Sequence, residues 1–476
     1  MSLPALSAAI AAWLPTARWF AGKGDALGGV AIVDACELPG SLVLALIDVA
    51  GGADTARYLV PVAAATGADA ADTPAFAGWL LDLVARGGTA PGRAGTFVGH
   101  AAATPLSPDP AAPVVSPVGG DASNTSLRVG RADGTVVVKI FRRLRSGIQP
   151  EVEVGEFLAG RRGWTGTPPF RGWLEYVPHG PAGASTAVAT VHDFLPGRET
   201  AWDLLLRLAT AGDPAGAEWS RIRAVAASLG AATARMHAAL AARTDVAAFA
   251  PEPATPATRR AEAVAMADRA AGVFARARQR TAGLPAPVAA AVQAVVASAA
   301  PLVARLRAAA ETGGGAVTIR VHGDYHLGQV LLDPGAGDGA PVVIDFEGEP
   351  GRPLEDRRRK ACAGRDVAGM CRSFDYLLRC AARAGGPAYD PQEAHRLKRA
   401  FLDAYRGLAA DRSWWPADPA AADRLLAVLE LDKAVAELDY ELDHRPDWVE
   451  VPLAAIEDAV RYDAPPSLND RRGRPA

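Results

Sequence analysis

The chain of 476 residues has only four cysteines, Cys36, Cys362, Cys371 and Cys380, and none sits in a CxxC or zinc-like spacing. That excludes a disulfide scaffold and a structural zinc site, and predicts free buried thiols in a reducing cytoplasm. Basic charge is not in excess: 50 Lys and Arg face 53 Asp and Glu, for a formal net charge of −3. A nucleic-acid footprint is therefore not expected, and no Lys/Arg block suggests a membrane surface. No uncharged apolar run reaches the ~18 residues of a membrane span, because Arg, Glu and Asp interrupt the Ala-rich stretches. The N-terminal ALSAAIAAWL has no basic region ahead of it and no small-residue cleavage site behind it, so it reads as an amphipathic helix. Internal repeats and a GxGxxG loop are also missing. What is present is a chain that is 50% hydrophobic, long enough for two or three compact units. It is expected to be a soluble cytoplasmic protein whose partner is a small molecule.

Along the chain, a short helix precedes SLVLALIDVA and ARYLVPVA, a strand, turn, strand pattern that predicts a small α+β unit over 1–103. The Pro/Ala stretch TPLSPDPAAP marks the first boundary. Residues 104–200 are expected to be mostly β, with strands at Thr135–Phe141 and Thr186–Val191. From 201 to 476 the pattern turns helical, with segments at 219–243, 257–311, 365–384 and 421–443 around two motif strands. The fold class is α+β.

Two short motifs carry the chemistry. VHGDYHLGQVLL places Asp324 and Gln329 five apart in a loop between strand signals, and VVIDFEGEP follows with Asp345, Glu347 and Glu349. This is the spacing of a protein-kinase-type catalytic loop, in which an Asp takes the acceptor hydroxyl's proton and an amide five residues on holds a metal. Asp345 then ends a strand where such a site needs a magnesium carboxylate, with Glu347 as a helper. Phosphoryl transfer is mainly positioning plus charge neutralisation, so a base, an amide and a metal carboxylate must converge on one phosphate. A turn aspartate at 324, or a paired-carboxylate glycosidase site at 345–349, would be the blander alternatives. Upstream, Lys139 at the end of VVVK is the expected phosphate lysine, with Glu153 as its partner and Glu151 as the competing choice. Ser123, Asn124, Thr125 and Ser126 lie where a phosphate-covering loop belongs. Asp193 and Phe194, in HDFLPG, are placed to meet adenine. His322 is expected to orient the loop or to touch substrate.

In combination these motifs resemble the actinobacterial maltokinases, a branch of the aminoglycoside-phosphotransferase-like kinases. The matching segments are ARWFAGKG, SNTS, VVKIFRRL with PEVEV, VHGDYHLGQVL, VIDFEGEPGRPLEDRR, RDVAGMCRSFDY and HRPDWVEVPLAAI. The resemblance spans nearly the whole chain and implies a protein-kinase-like bilobal fold with an N-terminal cap subdomain and a large helical C-lobe. It further implies ATP and Mg2+ as cofactors, and transfer of the γ-phosphate to the anomeric hydroxyl of maltose for α-glucan synthesis. Whether a trehalose-converting enzyme docks on the protein is left open by the sequence. In the helix at 421–443, Leu425, Leu429, Val435, Leu438 and Leu442 form an apolar stripe. Lys433, Glu437, Tyr440, Glu441 and His444, with Arg445 and Trp448 beyond, form a polar row suited to sugar hydroxyls. Ala436 and His444 replace a Tyr and an Asn of the family pattern, both on the acceptor side. A kinase for another sugar or amino sugar such as glucosamine, and a nucleotide-binding pseudokinase partner, are the alternatives.

Overall fold

The computed structural model describes residues 1–22, 27–51, 54–109, 111–119, 123–180, 183–311 and 315–461. Gly120, Asp121 and Ala122 of the expected phosphate loop, Lys23 and Gly24 of ARWFAGKG, and Gly52 and Ala53 of the first turn lie outside the described residues. The chain divides into two compact units, Met1–Pro196 with Asp345–Arg357, and Gly197–Ile344 with Arg358–Ala476.

In the first unit, helix α1 (Leu3–Trp13) packs on a four-stranded antiparallel sheet of β1 (Gly29–Leu38), β2 (Leu42–Gly51) and β3 (Asp54–Ala63), closed by a later strand. The apolar run in β2 does not alternate with polar residues because both of its faces are covered. Ala45, Ile47 and Val49 meet α1, while Leu42, Leu44 and Leu46 join a second core. That core is shared with α2 (Pro74–Arg86), which is capped by Thr73 at one end and by left-handed Gly87 (φ 59°) at the other. A seven-stranded sheet completes it. Its order is β4 (Thr89–Pro91), β5 (Gly95–Ala101), β10 (Phe170–Pro178), β11 (Thr186–Asp193), β8 (Gly134–Ile140), β7 (Thr125–Arg131), β6 (Val114–Pro117). Helix α3 (Pro150–Ala159) packs against β10 and β11.

The boundary expected at 103/104 therefore does not separate two bodies. Strands β4 and β5 precede it yet belong to the later sheet, and β9 (Arg143–Leu144), just after the lysine strand, pairs with β3 of the first sheet. Arg142 sits at the crossing, fully buried. Its guanidinium bonds both Asp69 carboxylate oxygens (3.1 and 2.8 Å) and Thr125 Oγ1 (2.8 Å), and lies 4.5 Å from the Trp19 ring centre. The segment Asp345–Arg357, which ends in the short helix α9 (Leu354–Arg357), belongs to this unit and not to the helical one.

The second unit is helical around two small sheets, β12 (Glu199–Thr200) with β15 (Val330–Leu332) and β16 (Val342–Val343), and β13 (Glu252–Pro253) with β14 (Val317–Thr318). Its helices are α4 (Ala201–Ala211), α5 (Ala217–Leu240), α6 (Pro256–Arg280), α7 (Ala286–Ala297), α8 (Ala299–Arg307), α10 (Gly364–Arg383), α11 (Pro391–Ala409), α12 (Pro419–His444) and α13 (Glu450–Arg461). The single helix expected over 257–311 is three: Gly283-Leu284-Pro285 separates α6 from α7, with Pro285 resetting the chain, and a 50° bend at Ser298 separates α7 from α8. The apolar stripe expected on α12 is buried at all five positions. All four cysteines are free, and Cys362 is the partly exposed one. Among the described residues no single helix is long and apolar enough to cross a membrane.

Candidate active site

In the first unit, strand β8 ends in Lys139, whose Nζ reaches Glu151 Oε2 at 3.0 Å and also contacts Asp345 and Glu347. The helix partner is thus Glu151, not the expected Glu153. Helical phase decides it: Glu151 shares the inward face of α3 with Val154 and Leu158, one and two turns on, and Glu153 does not. The three carboxylates of Glu151, Asp345 and Glu347 each place an oxygen within 4.8 Å of the others. Lys139, and Arg357 at 3.7 Å from Glu347, are the cations beside these carboxyls, and the all-oxygen donor set suits a hard divalent cation. Burial, then the neighbouring Glu347 and Asp345 charges, push Glu151 up to about 8 even though Lys139 pulls the other way. Asp345 itself adopts φ 68°, a left-handed conformation that an L-residue with a side chain rarely takes and that is found most often at functional sites.

The loop expected to cover phosphate is fastened at its far end. Asn124 Nδ2 donates to Glu347 Oε1 at 2.9 Å, so one loop residue is tied to the carboxylate cluster. Thr125 and Ser126 are already in β7, with Ser126 opposite Lys139, and the Thr125 hydroxyl accepts from Arg142 and so is turned away from any phosphate. Ser123 is exposed at the loop's edge. At the other end of the sheet, Asp193 is held by Arg171 through two bonds of 2.6 Å, and the Phe194 ring lies under Arg128. Their backbone N–H groups donate to the Pro169 and Thr135 carbonyls. Those two N–H groups are committed to the fold. Beside them His192 packs on Phe170 and is kept neutral, its pKa lowered to about 4 by burial and then by Lys139.

In the second unit the catalytic-type loop is gripped from behind by α10. Asp366 accepts from the backbone N–H groups of His322 (2.8 Å) and Gly323 (3.0 Å), and Ser373 Oγ from that of Leu327 (3.1 Å). Asp366 is itself bonded by His237 of α5 at 3.0 Å. Burial alone would raise its pKa, but the His237 bond and charge, the His322 charge and the Gly323 N–H together outweigh that and hold it low. The helix can come this close because residue 369 is glycine: a Cβ there would stand 2.6 Å from the Tyr325 carbonyl oxygen. His322 is buried and spends both ring nitrogens on the backbone, Nε2 on the Ile344 carbonyl (2.9 Å) and Nδ1 on the Asp324 N–H (3.4 Å). These bonds suit the expected role of orienting the loop. Gln329 closes a 3-10 turn and its carbonyl accepts from Ile344 N–H at 2.9 Å.

Asp324 projects from this loop and its Oδ1 receives Lys433 Nζ at 3.1 Å. Burial pushes the Asp324 carboxyl up, but Lys433, His326 and His322 together hold it below the usual carboxylate range. The polar row of α12 splits into two. Lys433, Glu437 and Glu441 turn inward, with Glu437 held by Arg372 Nε (3.2 Å) and Nη2 (2.7 Å) and Glu441 by the Tyr376 hydroxyl and Arg445 (2.6 Å each). Tyr440 and His444 stack on each other in solvent, with Tyr440 52% exposed, so the row expected along α12 is not one surface. Trp448 stacks on Tyr376 at 6.2 Å, and Trp202 meets the same ring from α4.

Arg372, Asp375, Tyr376, Asp366 and Ser373 were not foreseen individually. All lie in RDVAGMCRSFDY, and the signal was available: charged residues recurring every three or four positions in an otherwise apolar helix are buried only when paired. Arg372 indeed also holds Asp375 at 2.7 Å.

A lysine strand facing a carboxylate cluster, and a separately braced loop presenting an aspartate, define a phosphotransferase of the kinase-like α+β class. The phosphotransferase enzyme family model matches residues 114–410 and the maltokinase N-terminal cap domain model matches 13–107. The chain belongs to the phosphotransferase enzyme family, in the branch that carries a maltokinase-type cap. Among its relatives, a glucosamine kinase of Streptacidiphilus jiangxiensis is 33% identical, with 89% of this chain and 92% of the relative aligned. A glucosamine kinase of Mycolicibacterium smegmatis is 30% identical over 71% of this chain and 78% of its own length. Among solved structures, a glucosamine kinase in complex with glucosamine, ADP and inorganic phosphate superposes with a TM-score of 0.63 at 28% identity, covering 96% of this chain and 100% of that one.

Proposed function

We propose that the protein is an ATP-dependent sugar kinase whose acceptor is an amino sugar, glucosamine. The observation that carries the proposal is the pairing of Asp324 with a polar row on α12, in a chain aligned over 89% of its length with a glucosamine kinase. Lys139 would hold the nucleotide's phosphates, and Asp345 and Glu347 would hold Mg2+, which when bound supplies charge neutralisation on the transferring phosphate. Asp324 would receive the acceptor hydroxyl's proton.

Maltose stands as the second reading, favoured by the cap. The cap discriminates weakly, however. A solved glucosamine kinase that superposes over 96% of this chain cannot lack a segment the size of residues 13–107. Ala436 points the same way, since the small side chain replaces the Tyr of the maltokinase pattern. Steady-state ADP release with Mg2+-ATP and a panel of glucosamine, glucose and maltose tests the proposal, with the new phosphate located by NMR. Glucosamine should give the highest kcat/KM; a clear preference for maltose would replace it with the second reading.

A further inference from the structure

Lys433 is expected from sequence to touch sugar, but its ammonium is directed at the catalytic-type aspartate. We propose that Lys433 is a positioning residue for phosphoryl transfer: it holds the Asp324 carboxylate in place and offsets its charge against the incoming phosphates. The proposal rests on the kinase assignment and adds a role for a residue of the same site.

The contact is built into the fold. Asp324 Oδ1 and Lys433 Nζ are 3.1 Å apart, and both side chains are fixed to one frame, helix α10. On the loop side, Asp366 and Ser373 of α10 take the N–H groups of His322, Gly323 and Leu327. On the α12 side, Arg372 of α10 clamps Glu437, one turn beyond Lys433, with two bonds. The loop's own imidazoles also favour the ionised Asp324 carboxylate while they bond the backbone. His322 bonds the Ile344 carbonyl, and His326 folds back so that Nδ1 accepts from Gly328 N–H at 3.1 Å. Lys433 is the cation that brings a donor to the carboxylate from another element.

The chemistry needs such a cation. As the acceptor oxygen forms its bond to the γ-phosphorus, the bond from phosphorus to the β–γ bridging oxygen breaks and its electron pair leaves with ADP. The hydroxyl proton passes to Asp324. Before transfer, an anionic base and a multiply charged phosphate must stand on either side of the same hydroxyl, and they repel. A lysine on the far oxygen of the base offsets that repulsion and aims the other oxygen. Its cost is a weaker base, which a loose transition state tolerates because positioning and charge neutralisation, more than proton abstraction, carry the rate.

The test is Lys433→Met and Lys433→Arg, alone and in an Asp324→Asn background, assayed with Mg2+-ATP and the preferred acceptor after circular dichroism has shown native folding. Lys433→Met should lower kcat by about 10²-fold, the scale of removing one aimed electrostatic group, with the acceptor's KM changed less than about threefold, and Lys433→Arg should recover most of the loss. With Asp324 already changed to Asn, Lys433→Met should cost less than about threefold more, because its effect runs through that carboxylate. A kcat within about twofold of wild type with a raised acceptor KM would make Lys433 a sugar ligand and overturn the proposal. An undiminished loss in the Asp324→Asn background would overturn it too. If the wild type transfers phosphate to no acceptor, the kinase assignment fails first, and that outcome is read before any variant is compared.

Discussion

Lys139 and Lys433 both meet carboxylates, and their surroundings differ in kind. Lys139, with a side chain only 11% exposed, faces Glu151, Asp345 and Glu347 together, and burial with the neighbouring carboxylates pushes Glu151 up to about 8. Lys433, 34% exposed, faces Asp324, and Lys433 together with His326 and His322 lowers the Asp324 carboxyl. In the first cluster burial and neighbouring carboxylates raise a carboxyl, and at the second the surrounding cations outweigh burial and lower one. The same two residue types thus sit in opposite electrostatic settings, and the balance of burial against neighbouring charge tells them apart.

The sharpest way to break the comparison is to remove the metal carboxylate. Asp345→Ala should lower turnover by on the order of 10³-fold or more, the several kcal/mol a bound cation supplies, and should weaken Mg2+ binding in titration calorimetry with nucleotide present. Unchanged metal affinity would take Asp345 out of the cation site. Next, Asp324→Asn should leave ATP binding intact and lower kcat by about 10² to 10⁴-fold; near-normal turnover at saturating acceptor would end its role as base. Between Glu151 and Glu153 the structure makes a choice that sequence could not. Glu151→Gln should raise ATP's KM or lower kcat by about tenfold or more, on the scale of one charge-assisted contact, while Glu153→Gln stays within about twofold, and the reverse order would return the partner to Glu153.

How much of this was legible beforehand depended on whether the signal was local. Asp324, Gln329 and Asp345 stood out because their spacing within one loop and one strand is written in consecutive residues, and the lysine strand was equally plain from VVVK. The α3 partner was ambiguous because PEVEV offers two acids, and only packing against β10 and β11 sets which faces in. The α12 row failed for a related reason. On an ideal helix Tyr440 lies roughly 20° from the line through Lys433, so periodicity groups them, yet they sit about 10 Å apart along the axis and meet different neighbours. Lys433 finds the loop, whereas Tyr440 finds solvent and His444. The braces Asp366, Arg372 and Ser373 contact segments tens of residues away, and no short window of sequence contains both ends. The crossing of the chain at Arg142, which joins the first sheet to the nucleotide-side sheet, was invisible likewise, since Asp69 and Trp19 are far from it in sequence.

The comparison also makes a prediction about stability, and it is the smallest for Lys433. Removing Lys139 strands three carboxylates in a largely buried cluster, so Lys139→Met should cost about 3–5 kcal/mol, the range for breaking a buried ion pair from one side, with part of the loss restored by added Mg2+ through binding to the folded state. Lys433→Met removes one partner of a half-exposed pair and should cost only ~0–1 kcal/mol near neutral pH. The sign with pH follows from the lowered Asp324 carboxyl. A group whose folded pKa is depressed contributes stability above its unfolded value, 3.8 for Asp, and loses it as pH falls through the folded pKa. Urea melts of wild type and Lys433→Met should therefore differ slightly at about pH 7 and converge in acid below the ordinary carboxylate range. A gap of several kcal/mol, or one that widens in acid, would mean that Lys433 holds the fold together and that its pairing with Asp324 is not the reason it is there.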